Sequence, residues 1–238
     1  GIGVHRFVAE KLPDLYSQGA TVIVNICGST IDEYVEITRI LADADGVNAI
    51  ELNISCPNIK AGGITFGNSA VGTSEVVQAV RSVTKLPIIP KLTPNVTDIA
   101  GIARAAEEAG ADAVSLVNTF LAMAIDVETR RPALSNGVGG LSGPAIRPIA
   151  VRMVYECSQA VTIPIIGMGG IMTARDVLEF IIAGATAVQV GTANFVNPNL
   201  WPKLLADLKE YLSRHNIERV QDLVGTLELT ETQAWNSS

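Results

Sequence analysis

The chain has 238 residues, of which 48% are hydrophobic and 17% charged, a composition that is typical of a globular protein and excludes a disordered one. Its net charge of −7 argues against a nucleic-acid partner, because surfaces that bind phosphates are built from clustered lysine and arginine. No run approaches the roughly 18 apolar residues of a membrane span, and residues 1–13 lack the pattern of a signal peptide. We therefore expect one cytoplasmic domain over residues 1–238 that has no membrane segment.

Six short runs of β-branched and aliphatic residues predict buried strands. They cover residues 21–26, 49–55, 87–93, 113–119, 164–170 and 187–192. Helical patterns lie between them, at residues 29–44, 74–83, 98–109 and 173–184, and Thr173 is the expected N-cap of the last one. Strict alternation of strand and helix predicts right-handed crossovers and a parallel sheet, which is either open and doubly wound or closed as a (β/α)8 barrel.

Two glycine-bearing strand ends, "GMGGI" and "VGTANF", lie one short helix apart. Such a pair is typical of the phosphate site that barrels build after strands seven and eight, so we favour an α/β fold of the (β/α)8 TIM barrel type. The six runs are then strands three to eight, and the first two strands are missing from the chain. The alternative is an open six-stranded sheet.

Residues 120–143 form a long insertion after the fourth run. The alternation around "ETR" predicts a small hairpin over the mouth of the barrel, although an ornament on the surface would have the same pattern.

The three cysteines are widely separated, which fits a reducing compartment and offers no spacing for a metal or iron–sulfur site. We expect Cys27 and Cys157 to pack in the core. Cys56 differs because it lies between Ser55 and Pro57, before a glycine-bearing loop. This setting favours a general acid or base on a loop that covers a substrate.

Ligands of such folds bind at the carboxyl ends of the strands, where the predicted strands carry Asn25, Asn53, Lys91, Asn118 and Thr119. Each asparagine could be a simple turn former, and the lysine could be solvated. Together they favour a pocket for a planar polar ligand, with a cation that stabilises negative charge.

Six segments, in this order and spacing, resemble the catalytic subunit of class 1 dihydroorotate dehydrogenases. They are "ELNISCPNIKAGGITFG", "PKLTPN", "SLVNT", "GGLSGPAIRP", "IIGMGGI" and "VQVGTANF". The residues after "SCPN" resemble subclass 1B. The resemblance implies an FMN-dependent (β/α)8 barrel that oxidises dihydroorotate to orotate in pyrimidine synthesis.

The resemblance also implies roles for individual residues. Cys56 matches the catalytic base that removes a proton from carbon 5 of the substrate, while hydride leaves carbon 6. The residues that match those around the orotate ring are Asn53, Asn58, Asn118 and Thr119. The residues that match FMN contacts are Asn25, Asn53, Lys91, Val117, Gly143, Gly169, Gly170, Gly191 and Thr192.

Subclass 1B enzymes pass electrons to NAD through a second subunit, so the resemblance implies a partner that carries FAD and an iron–sulfur cluster, and a homodimer of the catalytic chain. No metal ion is implied in this chain. Two other functions stay open at this point: a related flavin barrel that acts on other dihydropyrimidines such as dihydrouracil, and a barrel fragment without catalytic activity.

Overall fold

The computed structural model describes residues 2–55 and 66–229. The predicted catalytic Cys56 and the predicted substrate contact Asn58 lie outside the described residues.

Six of the strands lie within the six predicted runs, and the other four lie in the predicted insertion. They are β1 (Ile23–Ile26), β2 (Ala49–Leu52), β3 (Ile88–Leu92), β4 (Val114–Leu116), β5 (Phe120–Ala122), β6 (Ile125–Asp126), β7 (Arg131–Pro132), β8 (Gly139–Leu141), β9 (Ile165–Met168) and β10 (Ala187–Gln189). The helices are α1 (Val4–Arg6), α2 (Leu12–Ser17), α3 (Ile31–Ala42), α4 (Ala70–Arg81), α5 (Ile99–Glu108), α6 (Arg147–Ser158), α7 (Ala174–Ile182), α8 (Ala193–Val196) and α9 (Leu200–Arg214). A π-helical turn, Phe7–Lys11, joins α1 to α2.

Six of the strands form one parallel sheet in the order β1-β2-β3-β4-β9-β10. This order follows the chain without a reversal, whereas a doubly wound sheet reverses its order partway. Right-handed crossovers of constant direction place every connecting helix on the same side of the sheet. The opposite side must therefore be covered by the sheet itself.

The sheet is strongly curled. Gln189 on β10 donates a hydrogen bond to Glu51 on β2 over 3.0 Å, although β10 lies four strands away from β2. In a flat sheet four strand spacings amount to about 19 Å. The side chains can meet only across the interior of a barrel-like wall.

Local capping fixes where the helices begin. Thr30, Ser69, Asp98 and Thr173 each accept a hydrogen bond from a backbone NH in the first turn of α3, α4, α5 and α7, respectively. The predicted cap at Thr173 is confirmed. Helix α4 begins four residues earlier than the apolar pattern predicted, because the cap at Ser69 lies before its first buried valine.

The core lies between the helices and the sheet. Its largest fully buried side chains include Tyr34, Ile50, Leu92, Leu116 and Phe180. Cys157 is fully buried there, as predicted. The prediction for Cys27 is wrong: Cys27 directly follows β1, where the chain turns out of the sheet, and it is exposed.

The predicted hairpin is confirmed as two nested antiparallel pairs, β5 with β8 and β6 with β7. We call residues 120–141 the excursion. It leaves the barrel wall directly after Thr119, at the carboxyl end of β4.

The described part of the chain has no helix with the length and apolar character of a membrane span. Within the same residues, β1 and β10 are the two edges of the curled sheet. Two further strands that close the barrel stay a prediction.

Candidate functional site

The interior of the curled sheet contains a polar layer centred on the carboxylate of Glu51. Its Oε2 accepts hydrogen bonds from Asn25 Nδ2 at 2.6 Å and from Lys91 Nζ at 3.4 Å. Its Oε1 accepts hydrogen bonds from Ser115 Oγ at 2.7 Å and from Gln189 Nε2 at 3.0 Å. One buried carboxylate therefore joins side chains from five strands, and two of its donors, Asn25 and Lys91, are predicted site residues.

Register explains this convergence. In the parallel pairs, Asn25 lies opposite Glu51 and Lys91 lies opposite Ser115. Glu51 lies within β2, and Asn53 and Ser55 follow shortly after this strand ends at Leu52. The hydroxyl of Ser55 donates to the carbonyl of Lys91 at 3.1 Å and ties the end of β2 to β3.

A second polar group lies beyond this layer, at the carboxyl ends of β2 and β4. Asn118 Nδ2 donates to Asn53 Oδ1 at 3.0 Å, and Asn118 Oδ1 accepts from the backbone NH of Thr119 at 2.8 Å. Tyr34 on α3 donates through its hydroxyl to the carbonyl of Asn53 at 2.6 Å. These contacts fix the two asparagine amides and place Asn53, Asn118 and Thr119 together, as predicted.

The base of the excursion packs against this group. Asn95, on the loop after β3, donates to the carbonyl of Thr119 at 3.1 Å and accepts from the NH of Leu121 at 2.9 Å. A Cβ atom added to Gly140 on β8 would collide with the side chain of Thr119, and its distance to Thr119 Cβ would be 2.8 Å. Glycine at position 140 is therefore required for the close approach of β8 to Thr119.

A cavity of about 280 Å³ opens beside these residues. It is lined by residues from the carboxyl ends of β3, β4, β9 and β10, among them Lys91, Val117, Asn118, Thr119, Gly143, Gly169, Gly170, Gln189, Gly191 and Thr192. All nine predicted FMN and substrate contacts on these strands and on the loop after β8 thus line one cavity, and Asn53, which follows β2, is hydrogen-bonded to the lining residue Asn118.

Glycines shape the wall of the cavity where β9 ends. Gly143, Gly169 and Gly170 have φ angles of +94°, +129° and +74°, a region that favours glycine. A Cβ atom added to Gly170 would lie 2.6 Å from the carbonyl oxygen of Gly143. The hydroxyls of Ser142 and Thr192, which also line the cavity, lie 3.2 Å apart. Exposed backbone and two hydroxyls at one end of the cavity suit an anionic group such as a phosphate.

Four polar residues of the site were missed by the sequence reasoning: Glu51, Ser115, Gln189 and Ser142. For Glu51 a signal was present, since Glu51, Asn53 and Ser55 recur with the period of two that marks one face of a strand. Ser115 and Gln189 stand two residues before the predicted contacts Val117 and Gly191 in the same way. Within the described residues, no cluster of three His, Cys, Asp or Glu side chains could hold a metal ion.

Comparison with known proteins agrees with the motifs. The family model for dihydroorotate dehydrogenase matches residues 2–212. A relative from Phocaeicola vulgatus is 53% identical over 227 residues, which are 95% of this chain and 75% of that protein. A relative from Desulforudis audaxviator is 56% identical over 228 residues, which are 96% of this chain and 74% of that protein. Both relatives are named the catalytic subunit of dihydroorotate dehydrogenase B (NAD(+)).

The family model covers well over half of the chain, and the identity of these relatives extends along nearly all of it. The resemblance stated from the six sequence segments is confirmed. This chain belongs to the dihydroorotate dehydrogenase family.

Proposed function

We propose that this chain is the catalytic part of an FMN-dependent dihydroorotate dehydrogenase that oxidises dihydroorotate to orotate in pyrimidine synthesis. The observation that carries the proposal is the convergence of Asn53, Lys91, Asn118 and Thr119 beside one cavity whose far wall is made of glycine backbone. The names of the relatives supply the reaction, and the site supplies groups of the chemistry that this reaction needs.

FMN fits the residues that line the cavity. Its phosphate would lie against the backbone of Gly169, Gly170 and Gly191 and the hydroxyl of Thr192. A Cβ atom at Gly170 would lie 2.6 Å from the carbonyl oxygen of Gly143 and would displace this wall. Asn25, Asn53 and Lys91 would contact the ring system, with Val117 and Gly143 packed against it. Bound FMN supplies the acceptor for the hydride that leaves carbon 6 of dihydroorotate.

The amides of Asn53 and Asn118 would hold the substrate ring. Each amide offers a donor and an acceptor, which matches the alternating NH and carbonyl edges of dihydroorotate. Because their mutual hydrogen bond and the bond from the NH of Thr119 to Asn118 hold both side chains in place, and Tyr34 holds the backbone of Asn53, little conformational entropy is lost when the ring binds. Thr119 and Asn58 would complete the polar contacts.

Cys56 would act as the base that takes the proton from carbon 5. Support comes from its sequence setting and from the anchoring of its neighbour: the hydroxyl of Ser55 holds the end of β2 against the carbonyl of Lys91. A base on the loop that follows an anchored strand end can approach the substrate from the side opposite the flavin. The thiolate of Cys56 would take the proton, and FMN would supply the acceptor for the hydride, so that both hydrogens lost from dihydroorotate are accounted for.

The same proposal includes a closed (β/α)8 barrel in which two further strands pair with β1 and β10. Support comes from the curl of the sheet, since side chains of both edge strands already meet at Glu51. An open pair of edges would expose unpaired backbone groups and apolar side chains such as Ile23, which is 43% exposed. We place the resulting single domain in the cytoplasm, with its cysteines as thiols.

We also propose a homodimer and a second subunit with FAD and an iron–sulfur cluster that passes electrons to NAD. The naming of the relatives as a catalytic subunit linked to NAD(+) supports the second subunit. For the homodimer, the support is a row of exposed apolar side chains that alternate along the excursion: Leu121, Met123, Ile125 and Val127.

Turnover of the full-length, FMN-loaded protein with two substrates tests the proposal. We expect oxidation of dihydroorotate and negligible oxidation of dihydrouracil. Preference for dihydrouracil would favour the related flavin barrel, and a purified protein without the yellow absorbance of FMN would favour the non-catalytic fragment. Replacing Cys56 by Ala should leave FMN bound and nearly abolish oxidation, whereas unchanged turnover would remove Cys56 from the mechanism.

A further inference from the structure

Glu51 is the most heavily hydrogen-bonded side chain in the interior of the curled sheet, and nothing in the proposed reaction uses it directly. Glu51 is only 4% exposed to solvent. Each carboxylate oxygen accepts two hydrogen bonds, Oε2 from Asn25 and Lys91 and Oε1 from Ser115 and Gln189. Four strands thus contribute one donor each to a carboxylate on a fifth.

The four donors differ in their position in the sheet and in their charge. Asn25 and Gln189 come from the two edge strands of the sheet, so Glu51 connects strands that do not pair with each other. Lys91 is the only cation that forms an ion pair with Glu51 among the described residues, and its side chain is 19% exposed. A buried charge is tolerated when it is paired and hydrogen-bonded, and losing one partner leaves the others unsatisfied.

The charges at this point bear on the cofactor. Lys91 lines the cavity, whereas Glu51 lies behind it, toward the interior of the barrel. The ammonium therefore stands between the carboxylate of Glu51, with which it forms an ion pair, and the space where the ring system of FMN would lie. A positive charge beside a flavin favours electron uptake, and a negative charge behind that cation opposes it.

We propose that Glu51 is a positioning residue with two effects: it holds Asn25 and Lys91 in place for FMN, and it lowers the reduction potential of the bound cofactor by offsetting the charge of Lys91. The inference rests on the proposed function, because it assumes that FMN binds beside Lys91. Within this one ion pair, Lys91 raises the reduction potential of the bound cofactor and Glu51 lowers it.

The test uses full-length, FMN-loaded protein and measures the midpoint potential of the flavin and the dissociation constant for FMN. Glu51→Gln removes the charge and keeps the side-chain length, and its amide NH₂ must face at least one of the four donors.

Three further variants serve as comparisons. Glu51→Asp keeps the charge and withdraws it from Lys91 by one methylene. Lys91→Gln removes the cation. Glu107→Gln, far along the chain and hydrogen-bonded at the loop before β9, is the control for loss of a structural carboxylate.

We expect the midpoint potential to rise in the order Lys91→Gln, wild type, Glu51→Asp, Glu51→Gln, and the Glu107→Gln potential to equal that of the wild type. Both Glu51 variants should raise the dissociation constant for FMN about tenfold, because a charged hydrogen-bond acceptor is lost or displaced. A purely structural role for Glu51 would weaken FMN binding without this ordered shift of potential.

A potential of Glu51→Gln at or below that of the wild type would overturn the inference. If Glu51→Gln does not fold, the same criterion applies to Glu51→Asp. The wild-type protein separates this inference from the proposed function: absence of bound FMN, or of dihydroorotate oxidation by the wild type, contradicts the function itself. Wild-type activity combined with the wrong order of potentials contradicts the role of Glu51 alone.

Discussion

Asn53 and Asn118 are joined by a hydrogen bond of 3.0 Å between Asn118 Nδ2 and Asn53 Oδ1, although 65 residues separate them in the chain. Replacing Asn118 by Asp keeps the shape of the side chain, removes the donor and sets a carboxylate against the oxygen of Asn53. Dihydroorotate is itself a carboxylate, so repulsion adds to the lost hydrogen bond. We expect kcat/KM for dihydroorotate to fall about 100-fold, with the FMN content unchanged.

Asn48→Asp is the matched control for this variant. Asn48 Oδ1 accepts from the NH of Val22 at 2.7 Å, a contact just before β1 and β2, at the amino ends of these strands, that an aspartate can keep. Steady-state kinetics should show near wild-type values for Asn48→Asp. Similar kcat/KM values for both variants would contradict a substrate role for Asn118.

Gly170→Ala should empty the cofactor site. Its Cβ atom would lie 2.6 Å from the carbonyl oxygen of Gly143, a backbone atom in the wall of the cavity, and the φ angle of +74° is unfavourable for alanine. We expect the ratio of bound FMN to protein, measured by absorbance, to fall at least about tenfold.

Gly225→Ala is the control that separates the energetic cost of a positive φ angle from the collision of the added Cβ atom at Gly170. Gly225 has a φ angle of +70°, but an added Cβ atom would meet nothing within 4 Å. Gly225→Ala should therefore lose about 1–2 kcal/mol of stability from its positive φ angle alone, Gly170→Ala should lose at least as much, and only Gly170→Ala should lose FMN. Equal FMN content in the two proteins would exclude the glycine wall as the phosphate site.

The two described cysteines should differ sharply in reactivity. Burial is the main cause that raises the pKa of the Cys157 thiol to about 12, so at pH 8 only about one molecule in 10⁴ has the reactive thiolate. Cys27 is exposed. In a Cys56→Ser variant we expect iodoacetamide to modify Cys27 in the folded protein and Cys157 only after unfolding. Mass spectrometry that finds both cysteines modified at similar rates in the folded protein would contradict the buried position of Cys157.

Glu107 should stabilise the fold in a pH-dependent way. Hydrogen bonds from Thr162, first from its hydroxyl and then from its NH, hold the pKa of Glu107 below its usual value of 4.5. A lowered pKa in the folded state gives stability that is present above the unfolded value and is lost as the pH falls through the folded value. The Tm of Glu107→Gln should therefore lie below that of the wild type at neutral pH. The difference should shrink as the pH falls below 4.5 and should vanish once the pH is below the lowered pKa of Glu107 in the folded protein.

Glu108 on the same helix provides the comparison, because its side chain is exposed. Glu108→Gln should change Tm little at any pH. A Tm difference for Glu107→Gln that persists unchanged into acid would mean that its hydrogen bonds, and not its charge, account for the stability.

The sequence predicts the fold well where burial alone decides the pattern. Strands such as β3 and β4 are nearly continuous apolar runs, and Thr173 precedes α7 as a recognisable cap, so their positions follow from local chemistry. Cys27 was misplaced because local sequence does not show where the chain turns out of the sheet. The order of the strands in space, which separates a barrel wall from a doubly wound sheet, is also a property of the whole chain.

The sequence predicts the residues of the candidate site that lie at strand ends, but not the buried residue that joins the strands. Residues at the carboxyl ends of strands, such as Lys91 and Asn118, could be found because parallel strands end at one rim. Glu51 shares the period of two with Asn53 and Ser55, but the sequence does not show the partners that a buried carboxylate needs. Its four donors come from strands that are distant in sequence, and only the curl of the sheet brings them together.

Anaerobic mixing of the FMN-loaded, full-length protein with one equivalent of dihydroorotate tests the central claim most directly. The account predicts that the yellow absorbance of oxidised FMN is lost within a single turnover and that one orotate is formed for each flavin. The same mixing with Cys56→Ala should leave the absorbance unchanged over that time. A wild-type protein that binds FMN but is not bleached by dihydroorotate would contradict the account.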